Sequence, residues 1–315
     1  MPSTLVIYNP VAGRGRVRDV WLFLEKALTE AGVEFDVAPT NAPLDAMNLA
    51  RDAAQKYERV VAVGGDGTVH EVVNGLLRAS NEGETIAMGV VPLGNGDDFA
   101  KVIPPETAIG KKPFDWKMAV AKIAHGQTKL FDVGRMEGDH LRPELGTGAH
   151  YFMNGIDVGF GAEASLNFTT IPKFLVGMTA YMATIFKTMV DYPTVRLRIQ
   201  LDDEPPFDQA TTMTAVTNGR CFANGFWVTP DAQPDDGLFD VMIADAVSRI
   251  QILGLIPKIM KGTHTHEPII KMRRAKRVIF DSIEPFVVES DGEVHYLDTR
   301  HLQVDILPRR LKVIV

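Results

Sequence analysis

The sequence of 315 residues contains only one cysteine, Cys221, and fewer basic than acidic residues. One cysteine cannot form a disulfide within the chain, which excludes a disulfide scaffold and favours a reducing compartment such as the cytoplasm. The 33 Lys and Arg residues against 40 Asp and Glu residues give a net charge of −7. Such a chain is a poor candidate for neutralising nucleic-acid phosphates, so we expect no nucleic-acid partner.

The sequence also lacks a long uninterrupted apolar run. Its longest mostly apolar stretch, residues 171–190, is interrupted by Lys173 and Lys187, whereas a membrane-spanning helix needs about 20 nearly uncharged residues. This stretch is either an ordinary packed helix or a helix that borders a lipid site. No basic region or cleavage-like site follows Met1, so we expect no signal peptide. Hydrophobic residues make up 45% and charged residues 23% of the chain, which is typical of a folded protein and not of a disordered one.

The pattern of apolar residues predicts a two-domain protein. In the first third, predicted strands at 4–8, 35–38, 59–63 and 86–91 alternate with predicted helices at 17–31, 44–57 and 69–77. This alternation is typical of a mostly parallel sheet covered by helices on both faces. From residue 128 strand signals dominate, including a clear two-residue period over 195–201. We therefore predict an α/β domain over 1–127 and a larger, mainly antiparallel β-sandwich over 128–302, with helices near 172–190 and 248–261.

Three glycine-containing loops each follow a predicted strand of the first domain. They are Asn9-Pro10-Val11-Ala12-Gly13, Gly64-Gly65-Asp66-Gly67-Thr68 and Pro92-Leu93-Gly94-Asn95-Gly96-Asp97-Asp98. Loops at the carboxyl ends of parallel strands meet in one crevice, and glycine lets backbone N–H groups approach a phosphate. A carboxylate such as Asp66 suits a phosphate that is bound through Mg²⁺. The alternatives are a helix cap at Asp66 and an ordinary strand-to-helix turn at 9–16.

Two further acidic motifs also allow two interpretations. Asp97 and Asp98 repel each other unless they share a cation, although one of them could instead cap the next helix. Asp291-Gly292-Glu293 follows the predicted strand 286–289 and by itself predicts a hairpin turn.

Together these motifs resemble the diacylglycerol kinase catalytic-domain family, which includes sphingosine, ceramide and bacterial lipid kinases. The resemblance extends through residues 64–76 and continues, in the family's order, with Phe131-Asp132-Val133-Gly134, the segment 154–161, Pro234-Asp235-Asp236-Gly237-Leu238-Phe239-Asp240 and Asp291-Gly292-Glu293. The middle loop alone also occurs in NAD kinases and phosphofructokinases. The ordered set covers nearly the whole chain and is much more specific.

The resemblance implies a fold and a chemistry. It implies an NAD kinase-like or phosphofructokinase-like nucleotide-binding domain, a β-sandwich, and a final segment, about 303–315, that returns to the first domain. It implies ATP in the interdomain cleft, Mg²⁺, Glu293 as general base, and Asp66 and Asp98 as acids that orient the metal. The ATP contacts implied by position are Asn9, Pro10, Val11, Ala12, Gly13, Thr40, Gly64, Gly65, Asp66, Gly67, Thr68, Val69, His70 and Asn95. Asn95 and Asp97 depart from the Thr and Asn that most relatives have there, and Lys101 replaces a common Arg.

Two surface features complete the expectations. By resemblance, the loop 233–238 holds a structural Mg²⁺ through Asp236 and the backbone carbonyls of Gln233 and Leu238, although it could be a solvated acidic turn. One basic cluster is either a solvated strand face or a contact for anionic lipid head groups; it comprises Lys271, Arg273, Arg274, Lys276 and Arg277.

The sequence therefore predicts an ATP-dependent lipid kinase that acts on a hydroxyl of diacylglycerol, a sphingoid base or a related lipid. It would be cytoplasmic and peripheral to a membrane, and a homodimer is allowed. The alternatives are a soluble kinase of the NAD kinase type and a catalytically silent nucleotide- or lipid-binding relative.

Overall fold

A computed structural model of the chain describes residues 3–104, 108, 109, 111, 112, 114–142, 149–172, 175, 178–190, 194–223 and 225–315. Its first part alternates strands and helices in the order β1 (Thr4–Tyr8), α1 (Arg16–Glu30), β2 (Phe35–Pro39), α2 (Asp45–Ala53), β3 (Arg59–Gly64), α3 (Asp66–Ala79), β4 (Ala87–Pro92) and α4 (Trp116–His125). All four strands are parallel, in the order β2-β1-β3-β4.

Both faces of this parallel sheet are buried. Ile7 and Ala62 belong to one apolar core, whereas their neighbours Val6 and Val61 belong to another on the opposite face. Successive side chains of a strand point to opposite faces, so continuous apolar runs are what a sheet covered on both sides requires. The α/β prediction for this part is confirmed, but α4 was not predicted. It begins after Asp115, whose carboxylate accepts the Met118 N–H at 2.9 Å.

The second part is built mainly from antiparallel strands around a separate apolar core. Its elements are β5 (Thr128–Gly138), β6 (His150–Phe152), β7 (Gly155–Gly159), α5 (Phe160–Phe168), α6 (Met178–Val190), β8 (Val195–Leu201), β9 (Phe207–Thr217), β10 (Phe239–Asp245), α7 (Arg249–Met260), β11 (Ile270–Ala275), β12 (Arg277–Ser290) and β13 (Glu293–Ile314). Phe152, Phe239 and Phe280 are fully buried in this core. The predicted β-sandwich is confirmed.

The long strand β13 joins the two parts. It pairs with β12 near its start and with β5 further along, and Val313 lies opposite Met88 of β4 in parallel register. The last residues of the chain therefore extend the sheet of the first part, as the resemblance implied. The domain boundary at 127/128 stays a prediction.

Three helices, α5, α6 and α7, pack together beside the antiparallel strands. Ile185 and Met189 of α6 meet Ile252 and Ile256 of α7, with Phe160 of α5 against them. Helix α6 covers part of the stretch 171–190, of which residues 173, 174, 176 and 177 lie outside the described residues. Among the residues that are described, no helix has both the length and the apolar character needed to cross a bilayer.

One glycine in the sandwich core provides a test of the packing. Gly134 of β5 lies opposite Phe152 of β6, and a Cβ at position 134 would fall 2.0 Å from the Phe152 ring. We expect Gly134→Ala to lower the free energy of unfolding by about 3 kcal/mol, because a closely packed core has no room for the methyl group. Urea denaturation measures the change.

The matched control is Gly254→Ala in α7, where a Cβ would meet nothing within 4 Å. This substitution should stabilise the protein by up to about 1 kcal/mol, because alanine has the higher helix propensity. Equal urea midpoints for the two variants would contradict the packing that we describe around Phe152.

Candidate active site

The three glycine-containing loops meet at the carboxyl ends of β1, β3 and β4. A Cβ on Gly13 would lie 2.1 Å from the Leu93 carbonyl oxygen, and a Cβ on Gly94 would lie 2.4 Å from the Gly65 Cα. Arg16 also donates to the Gly94 carbonyl oxygen at 3.2 Å. Glycine is therefore needed in these loops first of all because the three backbones touch. The crevice expected from the strand order is present.

The residues predicted to contact a nucleotide occupy different depths in this region. Asn9 donates through Nδ2 to the Thr68 hydroxyl at 3.3 Å, and the Thr40 N–H donates to the Tyr8 carbonyl at the end of β1. The side chains of Val69 and His70 are buried. Any contact that these two make with a ligand would therefore involve the backbone at the start of α3, where N–H groups favour an anion.

Two carboxylates converge on Gly96. The Oδ1 atom of Asp66 accepts the N–H groups of Asp98 (2.7 Å) and Phe99 (3.3 Å), which fixes the third loop against the start of α3. Its Oδ2 atom and that of Asp98 lie 2.6 and 3.6 Å from the point where a Gly96 Cβ would be. Burial, followed by the negative charges of Asp98 and Asp97, raises the pKa of Asp66 well above its usual value.

This pair has the character of a Mg²⁺ site. Converging carboxylate oxygens are the ligands that Mg²⁺ prefers, and a divalent cation would offset the repulsion that raises the pKa of Asp66. The helix-cap alternative for Asp66 is wrong, because its carboxylate bonds to the third loop and caps no backbone group of its own helix. A catalytic function for Asp66 stays a prediction.

Asp98 has a cation of its own. Lys101 Nζ donates to Asp98 Oδ1 at 2.5 Å, and both side chains are buried. Burial lowers the pKa of Lys101, but the adjacent Asp98 carboxylate outweighs this effect and raises it. The Cys221 thiol donates to the same oxygen at 3.3 Å. Asp97 instead accepts the Gly94 N–H at 2.8 Å, and burial raises its pKa to about 6.

Glu293 lies at the start of β13, directly after a two-residue hairpin turn. Asp291 and Gly292 both have positive φ, +50° and +92°, and Ser290 pairs with Glu293 across the turn. Two successive residues in this conformation match the twist of a hairpin, and Asp-Gly is among the favoured pairs. The hairpin turn predicted from the Asp291-Gly292-Glu293 motif is thus present, and Glu293 is the first residue after the turn.

The hairpin is fixed at a defined place by the Asp291 carboxylate. This group accepts the N–H groups of Met153 (3.0 Å), Asn154 (2.9 Å) and Gly155 (3.3 Å). It also lies 3.0 Å from Nδ1 of His70 in α3. Charge-assisted hydrogen bonds of this kind are stronger than neutral ones. They tie the hairpin to the strand β7 and to the helix that follows the Gly64–Thr68 loop.

This arrangement brings Glu293 beside the middle loop. Its Oε1 atom lies 3.5 Å from the position of a Cβ on Gly67, the second residue of α3. Glu293 is exposed, whereas Asp291 is buried. The acidic groups expected to act together, Asp66, Asp98 and Glu293, thus line one cavity although Glu293 is far from the others in sequence.

The cavity has a volume of about 400 Å³ and contrasting walls. Its polar lining includes Asp66, Gly67, Asn95, Asp98 and Glu293 from the predicted site. The remaining lining is mostly apolar and comes largely from α5, α6, α7 and the neighbouring strands; it includes Phe160, Phe168, Ile185, Phe226, Met242 and Ile256. Helix α6 therefore borders the cavity and also packs against its neighbouring helices. A lipid site beside the stretch 171–190 stays a prediction.

The predicted metal ligands of the loop 233–238 are not part of this cavity. Asp236 forms an ion pair with Arg274, and its Oδ1 atom accepts the Leu238 N–H at 3.1 Å. The Asp132 carboxylate accepts the Gly237 N–H at 2.7 Å. The guanidinium group already supplies a positive charge where the structural Mg²⁺ was expected, so the residues fit that ion poorly. The ligand set of Gln233, Asp236 and Leu238 stays a prediction.

The model of the diacylglycerol kinase catalytic domain matches residues 3–136, and that of the YegS C-terminal NAD kinase beta sandwich-like domain matches residues 155–315. The chain belongs to the diacylglycerol kinase catalytic-domain family. A diacylglycerol kinase of Staphylococcus saprophyticus is 28% identical over 91% of this chain and 88% of its own length. One of Bacillus subtilis is 27% identical over 93% and 90%.

Solved structures share the fold of this family member. A diacylglycerol kinase structure from Bacillus anthracis has a TM-score of 0.69 at 19% identity and covers 99% of this chain and 96% of its own. The structure of an NAD kinase from Archaeoglobus fulgidus in complex with ATP has a TM-score of 0.54 at 11% identity, over 99% and 93%. At these identities the likeness shows the fold alone. It confirms the predicted combination of domains.

Two acidic residues of the cavity were not predicted from the sequence. Asp157 of β7 and Glu289 of β12 both line it and are buried. One signal was available for Asp157, which stands alone among the apolar residues Ile156 and Val158 in a short strand. A single acidic residue in a buried strand is costly unless a partner or a ligand compensates for its lost hydration. For Glu289 the sequence offers no comparable signal, because its position in the cavity depends on the strand pairing.

Proposed function

We propose that this protein is an ATP-dependent lipid kinase that transfers the γ-phosphate of ATP to a lipid hydroxyl. The cavity is the observation that carries the proposal. It joins three carboxylates suited to phosphoryl transfer to a largely apolar wall that can hold a hydrocarbon chain. The relatives named diacylglycerol kinase, matched over most of the chain, support the same reaction.

In the proposed reaction Glu293 is the general base. It accepts the proton of the lipid hydroxyl while the hydroxyl oxygen bonds to the γ-phosphorus and the bond to the ADP oxygen breaks. Asp66 and Asp98 would hold Mg²⁺, which when bound offsets the negative charge of the phosphate oxygens. The Gly64–Thr68 loop and the first turn of α3 place backbone N–H groups towards the phosphates. The Asp291 hydrogen bonds keep Glu293 in place against α3.

A soluble kinase of the NAD kinase type is the second candidate, because it shares the fold. The apolar wall argues against it. Phe160, Phe168, Phe226 and Ile256 present little hydrogen-bonding capacity to a polar dinucleotide. A silent relative is disfavoured because the acidic groups remain together in the cavity.

We also propose that the protein is cytoplasmic and meets the membrane through α5, α6 and α7. These helices line the cavity and carry large exposed apolar side chains, among them Phe186 and Ile250, which are 52% and 82% exposed. The basic cluster is less suited to the task, because four of its five side chains already have acidic partners: Lys271 pairs with Asp245, Arg273 with Glu204, Arg274 with Asp236, and Arg277 with Asp305. A homodimer stays a prediction.

Filling the apolar part of the cavity tests the lipid site. Ala164 of α5 lines the cavity, and Ala164→Trp places an indole where the hydrocarbon chain would lie. We expect kcat/KM for the lipid to fall about 100-fold or more, since a close-packed site tolerates overfilling poorly. The affinity for ATP should be unchanged. Transfer of ³³P to lipid and isothermal titration with ATP measure the two quantities.

Ala121→Trp on the exposed side of α4 is the matched control, because position 121 is outside the cavity lining. This variant should behave as the wild type. Unchanged lipid phosphorylation by Ala164→Trp would place the lipid elsewhere, and a loss of ATP affinity in that variant would assign the apolar wall to the nucleotide.

A further inference from the structure

Asp157 and Glu289 form a second acidic pair within the cavity, for which the reaction above has no task. They face each other in the antiparallel pairing of β7 and β12, so their side chains share one face of the sheet. Asp157 is 0% and Glu289 7% exposed, and both line the cavity. Asp66, Asp98 and Glu293 come from different loops and turns and are already assigned to the metal and the base.

The Asp157 carboxyl group is unpartnered. Neither of its oxygens has a hydrogen-bond partner among the described residues. A Cβ on Gly161 would lie 1.9 Å from Oδ2, so the first turn of α5 leaves room for this carboxyl group. A buried polar group without a partner destabilises the folded protein, and a ligand that donates hydrogen bonds to it would remove that cost.

The electrostatics of the pair favour a cationic occupant. Burial raises the pKa of Asp157 to about 8; the nearby N–H groups of Ala162 and Val158 lower it by less, and neither reaches hydrogen-bond geometry with the carboxyl oxygens. Burial, followed by the charge of Asp157, raises the pKa of Glu289 well above its usual value. A positive charge placed between the two groups would reverse both shifts.

The rest of the cavity supplies no such charge. Its lining within the described part of the chain contains six carboxyl groups but no Lys, Arg or His side chain. Apolar residues such as Phe160 and Met213 also line the cavity, so a lipid that fills it would displace water from the pair. A lipid with only ester oxygens brings acceptors, whereas a protonated amine brings three donors and the missing charge.

We propose that Asp157 and Glu289 bind the protonated amine of a long-chain amino alcohol whose hydroxyl group is the one phosphorylated. This rests on the proposed function and narrows its substrate class from lipid alcohols in general to those that carry an amine close to the hydroxyl. The pair then discriminates between lipids, while Glu293 acts on the hydroxyl.

The test compares three lipids in the same mixed micelles with the full-length protein, Mg²⁺ and [γ-³³P]ATP. Sphingosine carries the amine, N-acetylsphingosine keeps the hydroxyl groups but has no charge, and 1,2-dioleoylglycerol has neither amine nor amide. We expect kcat/KM for sphingosine to exceed that for N-acetylsphingosine about 100-fold, as for a site built to hydrogen-bond a group that the analogue lacks.

Asp157→Asn and Glu289→Gln keep the shape of the pair but remove one charge each. Either variant should reduce the preference for sphingosine over N-acetylsphingosine about tenfold or more, mainly by lowering kcat/KM for sphingosine. Asp208→Asn on the exposed face of β9 is the matched control, and its preference should equal that of the wild type. Because Asp157 and Glu289 lie on different strands, one variant can still test the proposal if the other fails to fold.

The outcomes separate the two proposals. Transfer to dioleoylglycerol or N-acetylsphingosine with an efficiency equal to or above that for sphingosine overturns the amine site and leaves the lipid kinase intact. A preference that both variants retain in full also overturns it. If no lipid is phosphorylated, the proposed function fails, and the amine site fails with it.

Discussion

Replacing Glu293 with Gln is expected to slow phosphoryl transfer by about two to four orders of magnitude while leaving the protein folded and able to bind ATP. The amide has nearly the shape of the carboxylate but cannot accept the hydroxyl proton, and general-base catalysis contributes about 10²- to 10⁴-fold to a rate. Glu293 is exposed and lies on a hairpin that Asp291, not Glu293, holds in place. We therefore expect kcat to fall by about that factor with little change in thermal stability.

The control is Glu284→Gln, an exposed residue of the same strand pair that is outside the cavity lining. It should leave kcat unchanged. Radiolabel transfer to lipid, ATP binding by calorimetry and a melting curve are measured for both variants. Wild-type turnover by Glu293→Gln would remove Glu293 from the chemistry, whatever the position of its side chain.

Replacing Asp66 with Asn is expected to have an effect of similar size through the metal. The asparagine side chain can still accept the N–H groups of Asp98 and Phe99, so the third loop stays in place. The negative charge of Asp66, which would hold the bound Mg²⁺, is lost. We expect kcat to fall about 10²- to 10³-fold at low Mg²⁺ and to recover in part as Mg²⁺ is raised, because charge stabilisation is a large contribution to phosphoryl transfer.

Asp66→Asn also relieves buried like charges, since burial and the neighbouring acids raise the pKa of Asp66. The variant should be at least as stable as the wild type at neutral pH, which separates loss of activity from loss of fold. Asp19→Asn on the exposed face of α1 is the control. An unchanged rate with an unchanged Mg²⁺ requirement in Asp66→Asn would contradict the metal assignment.

The sequence predicted most of the first domain because its signals there are local. Apolar strands, helical periodicity and glycine turns repeat within about 30 residues, as expected for βαβ units. The parallel arrangement then determines where the loops meet. That argument predicts that the loops carrying Gly13, Asp66 and Asp98 meet, and in the structure these loops are in contact.

The second domain was harder because its contacts are distant in sequence. The hydrogen bond between His70 and Asp291 spans 221 residues, and that between Asp291 and Asn154 spans 137. Helix α5 was not predicted, since its first turn follows β7 without an intervening loop. The pairing of Asp157 with Glu289 depends on strand register, and a shift of one residue would turn each side chain to the opposite face.

The sequence also did not reveal which charged side chains are paired or buried in the fold. The basic cluster at 271–277 is compensated by acids from elsewhere in the chain, such as Glu204 in the turn between β8 and β9 and Asp305 of β13. Lys101, noted in the sequence only as a replacement for a common Arg, is buried against Asp98. The neutralised basic cluster and the buried Lys101 both result from contacts between residues distant in sequence, which composition alone cannot predict.

Incubation of the full-length protein with [γ-³³P]ATP, Mg²⁺ and either total extracted lipid or NAD addresses the main proposal most directly. If the cavity holds a lipid alcohol beside Glu293, label will enter an organic-soluble phospholipid, and none will enter NAD. Label that appears in NADP, with no labelled lipid, would show instead that the apolar wall does not serve a substrate and that the second candidate function is the correct one.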